Sequence, residues 1–457
     1  MTRDGQVSVT DTEAWMRQLL QDPKQRLALS ALSSNDPASI LESPSVVLRD
    51  TQTFNTAIPH EGTPVTSQRS SGRCWIFAAT NVFRVALMKK YNLDKLELSQ
   101  SYLFFWDKVE KANYFLQNVL DTAKEPIQGR LVSSLLASPV NDGGQWDMLA
   151  NLVAKYGLVP HSVYPDSWNA MNSRTMDRLI TAKLRKDALR LRGLVKSGAD
   201  EDTISRHRER MLEDVVRIVT LSLGPPPPRD AKLGWEYYDK AGKLHVLDAT
   251  PMELAAGLND SRALRACAGT DVHSLFSLVN DPRNEYGSLL TVNRLGNVWG
   301  GKPVTYVNVD MKTLKEGCVA MLKKGFPVFF GSDVGQYADR VKGIMDVDLI
   351  DYELGFNVKL GMSKAQRIMT GESAMNHAMV LTAVHLSPSG EPVRWRVENS
   401  WGDAVGDRGY FVASDAWMDA FCYQAVVDPM AVNSEVRDIL KQEPKVLPLW
   451  DPMGALA

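Results

Sequence analysis

Four side chains have the types and the chain order needed for acyl transfer through a thiol: Gln68, Cys74, His377 and Asn399. A free thiol, with a pKa of about 8.5, is only a few per cent thiolate at neutral pH, and a paired imidazole raises that fraction. A carboxamide such as that of Asn399 can hold the imidazole in one orientation. An amide N–H of Gln68 can donate to the oxyanion of a tetrahedral intermediate. Cys74 is followed by a helical apolar pattern, so it opens a helix and feels the positive end of its dipole. Taken singly, Cys74 also reads as a buried core cysteine, and His377 as a hydrogen-bonded, half-buried histidine. The order of all four turns the reading to a nucleophile with its base.

The stretch Gln68-Arg69-Ser70-Ser71-Gly72-Arg73-Cys74-Trp75 resembles the nucleophile region of papain-like cysteine peptidases. Those read Cys-Gly-Ser/Ala-Cys-Trp/Tyr, with Gln three residues before the first Cys. Ser71 stands where that first Cys would be, and Arg73 replaces the small residue before the nucleophile. Asn141-Asp142-Gly143-Gly144, followed downstream by Tyr164-Pro165, is similar to the family's Cys-Asn-Gly-Gly stretch, with Asn141 in the place of Cys. In secreted relatives the two cysteines missing here form a disulfide, and their joint loss fits a reducing compartment. His377 lies 303 positions after Cys74 (377 − 74). Papain-like enzymes need about 130–150, so roughly 150 residues are inserted.

Size and insertion are similar to the bleomycin hydrolase and aminopeptidase C group of that family. So are Ser71-Gly72-Arg73-Cys74-Trp75-Ile76-Phe77, Trp235-Glu236-Tyr237-Tyr238-Asp239, Gly371-Glu372-Ser373 before Asn376-His377-Ala378-Met379, and the closing Asp451-Pro452-Met453-Gly454-Ala455-Leu456-Ala457. The resemblance implies an α+β papain-like fold of two lobes, with a large mainly helical insertion and extensions at both ends. It implies a thiol aminopeptidase for peptides with a free N-terminus, needing no metal or organic cofactor. Gly143 and Gly144 would let a substrate backbone lie close, as residues without Cβ can. Trp401 would shield the His377–Asn399 hydrogen bond from water, which strengthens it. The 452–457 tail would lie in the cleft, where the carboxylate of Ala457 pairs with the substrate amino group and limits cleavage to the N-terminus. A homohexamer in the cytoplasm is implied as well, with non-specific nucleic-acid binding in some members.

The bulk properties agree with an ordinary globular protein: 457 residues, 44% hydrophobic, 23% charged, net charge −2. That charge selects neither nucleic acid nor acidic substrates. No run of 18 apolar residues predicts a membrane span, and Met1-Thr2-Arg3-Asp4-Gly5 lacks the apolar core of a secretory signal. Cys267, Cys318 and Cys422 are widely spaced and read as buried small hydrophobes rather than zinc ligands.

The elements that must hold the four residues can be read from periodicity and breakers. Residues 1–60 read as an N-terminal helical arm, with a capping box from Thr10 to Glu13, a helix opened by Asp22-Pro23, and an extended, turn-rich stretch over 44–66. Residues 61–165 read as the helical lobe: a helix from Cys74 to Tyr91, another after the Ser99 cap, and a third after Gly144 ending near Gly157. Residues 166–300 read as the insertion: two amphipathic helices over 172–222, a hairpin around 239–243, and a capping box from Thr250 to Glu253. Residues 301–430 alternate into strands, with His377 opening one and Asn399 closing the next, at one edge of a sheet. Residues 431–457 form the tail. The helix over 174–196 carries Arg174, Arg178, Lys183, Arg185, Lys186, Arg190, Arg192 and Lys196. A solvated face is the ordinary reading of such a run; a nucleic-acid-binding scaffold is the other.

Overall fold

The computed structural model describes residues 5–260 and 274–456. Cys267 therefore lies outside the described residues. The apolar repeat after Cys74 folds as the helix Cys74–Lys90. Thirteen of its residues are buried, because it runs between the other helices and the strand that begins at His377. Ser99 accepts the N–H of Tyr102 and opens the helix Gln100–Asp121. The helix Trp146–Tyr156 ends at Gly157, whose φ of 79° favours glycine. A Cβ there would lie 2.2 Å from the Pro251 carbonyl oxygen.

The insertion contributes the helices Arg174–Lys196 and Glu201–Leu223. Met176, Ile180, Leu184, Ala188 and Leu191 are buried along one face of the first, and Met211, Val215 and Val219 along the second. Burying each larger aliphatic is worth about 1.5–3 kcal/mol over leaving it in water. Trp235–Tyr238 pairs with Leu244–Leu247 as the expected hairpin. Thr250 and Glu253 cap each other's backbone N–H groups, as their spacing predicts.

The second lobe is built on a sheet of twelve strands among the described residues. Its central run is Phe276–Val279, Cys422–Val427, Val328–Ser332, His377–Leu386, Pro392–Glu398 and Tyr410–Ser414, in that spatial order. His377 pairs with Ser332, while Val380 pairs with Glu398 in the antiparallel neighbour. The start of one strand and the end of the next thus share an edge, as the sequence predicts for His377 and Asn399.

Three features depart from the sequence reading. Residues 44–49, read as extended, form the helix Pro44–Arg49, with Pro44 at the first helical position, where its missing N–H costs nothing. The first helix is Val9–Leu19, capped by the Ser8 hydroxyl on the N–H of Asp11, so Thr10 lies inside it. Phe276–Val279 and Ser288–Val292, in the stretch read as mainly helical insertion, are strands of the large sheet. Phe276–Val279 is buried at every position, so no apolar–polar alternation marks it as a strand. In the N-terminal arm, neither Val9–Leu19 nor Pro23–Leu32 buries a residue within this chain. Trp15, Met16, Leu19 and Leu27 are all at least half exposed.

Candidate active site

Gln68, Cys74, His377 and Asn399 are all buried and meet where the helical lobe joins the edge of the sheet. A backbone stitch aligns them. Ser67 and Trp401 form a β-bridge, the Gln68 N–H donates to the Ser400 carbonyl at 2.8 Å, and the Gly402 N–H donates to the Thr66 carbonyl at 3.0 Å. The Gln68 amide is fixed at both atoms. Its Nε2 donates to the Ser71 carbonyl at 2.7 Å, and its Oε1 accepts from the Ser400 hydroxyl at 2.7 Å. A carbonyl can only accept, so the atom facing it is nitrogen, and its second N–H remains for another acceptor.

The same reasoning assigns the histidine tautomer. Asn399 Oδ1 accepts the Ser400 backbone N–H at 2.8 Å, and a backbone N–H can only donate. His377 Nε2, 2.8 Å from that oxygen, must therefore carry its proton. Neutral His377 then has Nδ1 bare and able to act as a base. Burial pushes His377 down to about 4; the Asn399 bond opposes this and the Arg340 charge adds to it. Burial likewise pushes the Cys74 thiol up to about 11, against the backbone N–H groups of Ala378, Trp75 and Cys74 itself, which favour the thiolate. The Ala378 contact brings the sulfur to the residue beside His377. Burial makes each lone charge costly, so the proton rests on sulfur. Moving it to the imidazole creates two opposite charges that offset each other.

The Trp401 ring lies 5.0 Å from that of His377, tilted by 32°, and the Arg340 guanidinium sits 4.6 Å from the centre of the indole. Beside Cys74, Arg73 gains the physical account that the sequence did not provide. Its guanidinium is fully buried and grips both oxygens of Asp166 at 2.9 Å. Its Nε donates to the Ser71 hydroxyl at 2.9 Å, and its flat faces meet Phe77 and Phe104. Such a two-pronged, stacked contact fits Arg and not Lys. Asp142 is the second brace. Its carboxylate accepts the Gly72 N–H at 2.9 Å, and its carbonyl accepts the Trp75 indole N–H at 2.6 Å. Buried Lys108 lies between Asp142 and Asp177. Against the cost of burial, the Lys108 charge holds the Asp142 carboxyl below the ordinary range. Burial pushes Asp177 up to about 6, with Asp142 adding to the effect.

Gly144 is buried with the Trp75 indole against it; a Cβ would fall 2.5 Å from that ring. Its missing side chain thus serves packing of the helix that Cys74 opens. Gly143 is partly buried and its carbonyl accepts from Lys111 at 2.6 Å. The tail comes back to this segment. Arg283 anchors Asp451 at 2.8 Å, Met453 is buried, and Gln145 Nε2 donates to the Ala455 carbonyl at 2.8 Å. Gly454 and Leu456 line a cavity of about 210 Å³ with Lys111, Leu135, Ser138 and Asn141. Ala457 lies outside the described residues. The sequence marked Asp142 only as a member of the Asn141–Gly144 motif, without its role, and gave no sign of Lys108, Asp166 or Arg340. Pairings across tens to hundreds of residues leave no local pattern.

The Peptidase C1-like family model matches residues 6–454. The bleomycin hydrolase of Gallus gallus is 42% identical over 458 residues, covering 99% of each chain. A protein of Saccharomyces cerevisiae named cysteine proteinase 1, mitochondrial, is 41% identical over 99% of this chain and 93% of its own length. The crystal structure of PepW from Lactobacillus rhamnosis superposes with a TM-score of 0.93 at 41% identity, covering 99% of this chain and all of that one.

Proposed function

We propose that this chain, which belongs to the Peptidase C1-like family and is a papain-like cysteine peptidase of the bleomycin hydrolase group, is a thiol aminopeptidase. The observation that carries the reading is the Gln145–Ala455 hydrogen bond. It keeps the C-terminal segment against residues 141–145, next to the braces of Cys74. A cleft filled on that side leaves room for very few residues before the scissile bond. The carboxylate expected at Ala457 would meet the substrate's amino group there. In the proposed reaction His377 Nδ1 takes the Cys74 proton as the sulfur attacks the first peptide carbonyl. The free N–H of Gln68 and the Cys74 backbone N–H stabilise the oxyanion. His377 then protonates the leaving amine, and water, activated by the same nitrogen, hydrolyses the thioester.

The partner reading is a homohexamer in the cytoplasm. The exposed apolar residues of Val9–Leu19 and Pro23–Leu32 support an assembly that covers them. No helix among the described residues is long and apolar enough to cross a membrane. Non-specific nucleic-acid binding has less support. Lys183, Arg185 and Arg192 already serve the fold, Lys183 on Asp187 and the two arginines on backbone carbonyls. The test is a fluorogenic aminoacyl amide beside its N-acetylated twin, with the full chain, a chain ending at Ala455, and Cys74→Ala. Cleavage of only the free amine, acceptance of the blocked twin after truncation, and silence of Cys74→Ala are expected. Equal cleavage of both by the full chain would overturn the aminopeptidase reading, and turnover by Cys74→Ala the nucleophile.

A further inference from the structure

The imidazole that accepts the Cys74 proton must later deliver one to the leaving amine. The peptide beyond the scissile bond therefore departs on the His377 side of the cleft, while the acyl side faces residues 141–145 and the tail. The wall on the departing side is Trp401, and the charged group on that wall is Arg340. The ring contact of His377 with Trp401 and the guanidinium contact with the same indole keep the two functional groups within about 10 Å, close to the ~10 Å screening length in 0.1 M salt.

Arg340 is exposed, and no carboxylate lies within ion-pair distance of it among the described residues. Its neighbour Asp339 is used locally. Oδ1 accepts the backbone N–H groups of Val341 and Lys342, and Oδ2 pairs with the Lys342 ammonium. The turn is braced from three directions. The Gly343 N–H donates to the Asp339 carbonyl at 2.9 Å and the Gly406 N–H to the Val341 carbonyl at 3.0 Å, and Lys342 also pairs with Glu42 of the N-terminal arm. A guanidinium stacked on an indole keeps its N–H edge free for a carboxylate. Arg340 is thus a pre-positioned cation with no counter-charge among the described residues, on the route of the leaving group.

We propose that Arg340 selects substrates by charge on the leaving side, favouring peptides that carry a carboxylate just after the scissile bond. An extended chain advances about 3.3–3.6 Å per residue, so two sources of carboxylate come within reach: an acidic side chain on the first leaving residue, or the main-chain carboxylate of a one- or two-residue leaving group. The inference rests on the aminopeptidase reading and adds a substrate class to it.

The experiment compares kcat/KM within matched pairs. One pair has Glu or Gln as the first leaving residue of an amidated peptide; the other is a dipeptide as its free acid or its amide. An uncharged fluorogenic aminoacyl amide gives the reference rate. The wild-type enzyme is expected to favour the acidic member about three- to five-fold, the scale of one exposed ion pair. The ratio should fall to about one in Arg340→Gln, invert in Arg340→Glu, and shrink for the wild type as salt rises. The pair that responds identifies the source of the carboxylate. Ratios that do not change between wild type, Arg340→Gln and Arg340→Glu overturn the inference while leaving the aminopeptidase reading intact. Failure to cut even the reference amide sinks both.

Discussion

On the Cys74 side of the cleft, Arg73, Lys108 and Lys111 are buried and each faces a carboxylate: Asp166, the Asp142–Asp177 pair, and Asp107. On the other side the buried imidazole of His377 faces the neutral carboxamide of Asn399 and the indole of Trp401. The first arrangement tolerates ions because each is matched, and a matched buried ion resists displacement, since parting it from its partner is costly. That suits groups whose task is to hold Gly72 and the Cys74 loop still. The second sets a neutral carboxamide and an indole against the imidazole, and the Arg340 cation beyond the indole opposes rather than traps an imidazolium. Asn399 orients the imidazole without supplying a counter-ion that would trap it as a cation. Precision and proton transfer ask for opposite electrostatics, and the two walls divide them.

The largest expected effect breaks the matched side. Lys108→Met leaves two partly buried carboxylates without their fully buried cation and should cost about 3 kcal/mol of folding stability, the low end for breaking a buried pair, read as a lower denaturant midpoint. An unchanged midpoint would mean that the ions are not the brace. Gln68→Ala tests the junction of the walls. Losing one oxyanion donor should lower kcat about 10²–10³-fold in an enzyme that still titrates with a thiol reagent, and unchanged turnover would remove Gln68 from that role. The smallest effect sharpens the proton-transfer side. His377 is held down to about 4, so the acid limb of kcat/KM should lie well below the ordinary imidazole value of about 6.5. Asn399→Asp adds a negative charge that favours the imidazolium, so the limb should move to higher pH by about one unit. An unmoved limb would mean that the resting pair is already thiolate and imidazolium.

Much of this was legible in the residues themselves. Cys74 opening a helix, Ser99 as a cap, the Trp235–Tyr238 hairpin and His377 at a strand start all follow from patterns a few residues long. The braces were not legible. Arg73 stood out as a departure, yet its partner Asp166 is remote in the chain, and nothing local links them. Lys108, Asp142 and Asp177 look like surface charges of three separate helices or loops until the helices pack. Phe276–Val279 escaped for a different reason: a strand buried on both faces has lost the alternation that marks strands. Packing, rather than propensity, decided each of these.

The stitch of residues 66–68 to 400–402 also has a consequence in time. Cys74 is synthesised 303 positions before His377 (377 − 74), which at about 5–20 residues per second means roughly 15–60 s on the ribosome. Throughout that interval the thiol has neither its base nor the Ser400 contacts that set Gln68. An unfinished chain therefore lacks the assembled site: the arrangement proposed to cut peptides arrives only when the last lobe has closed on the first.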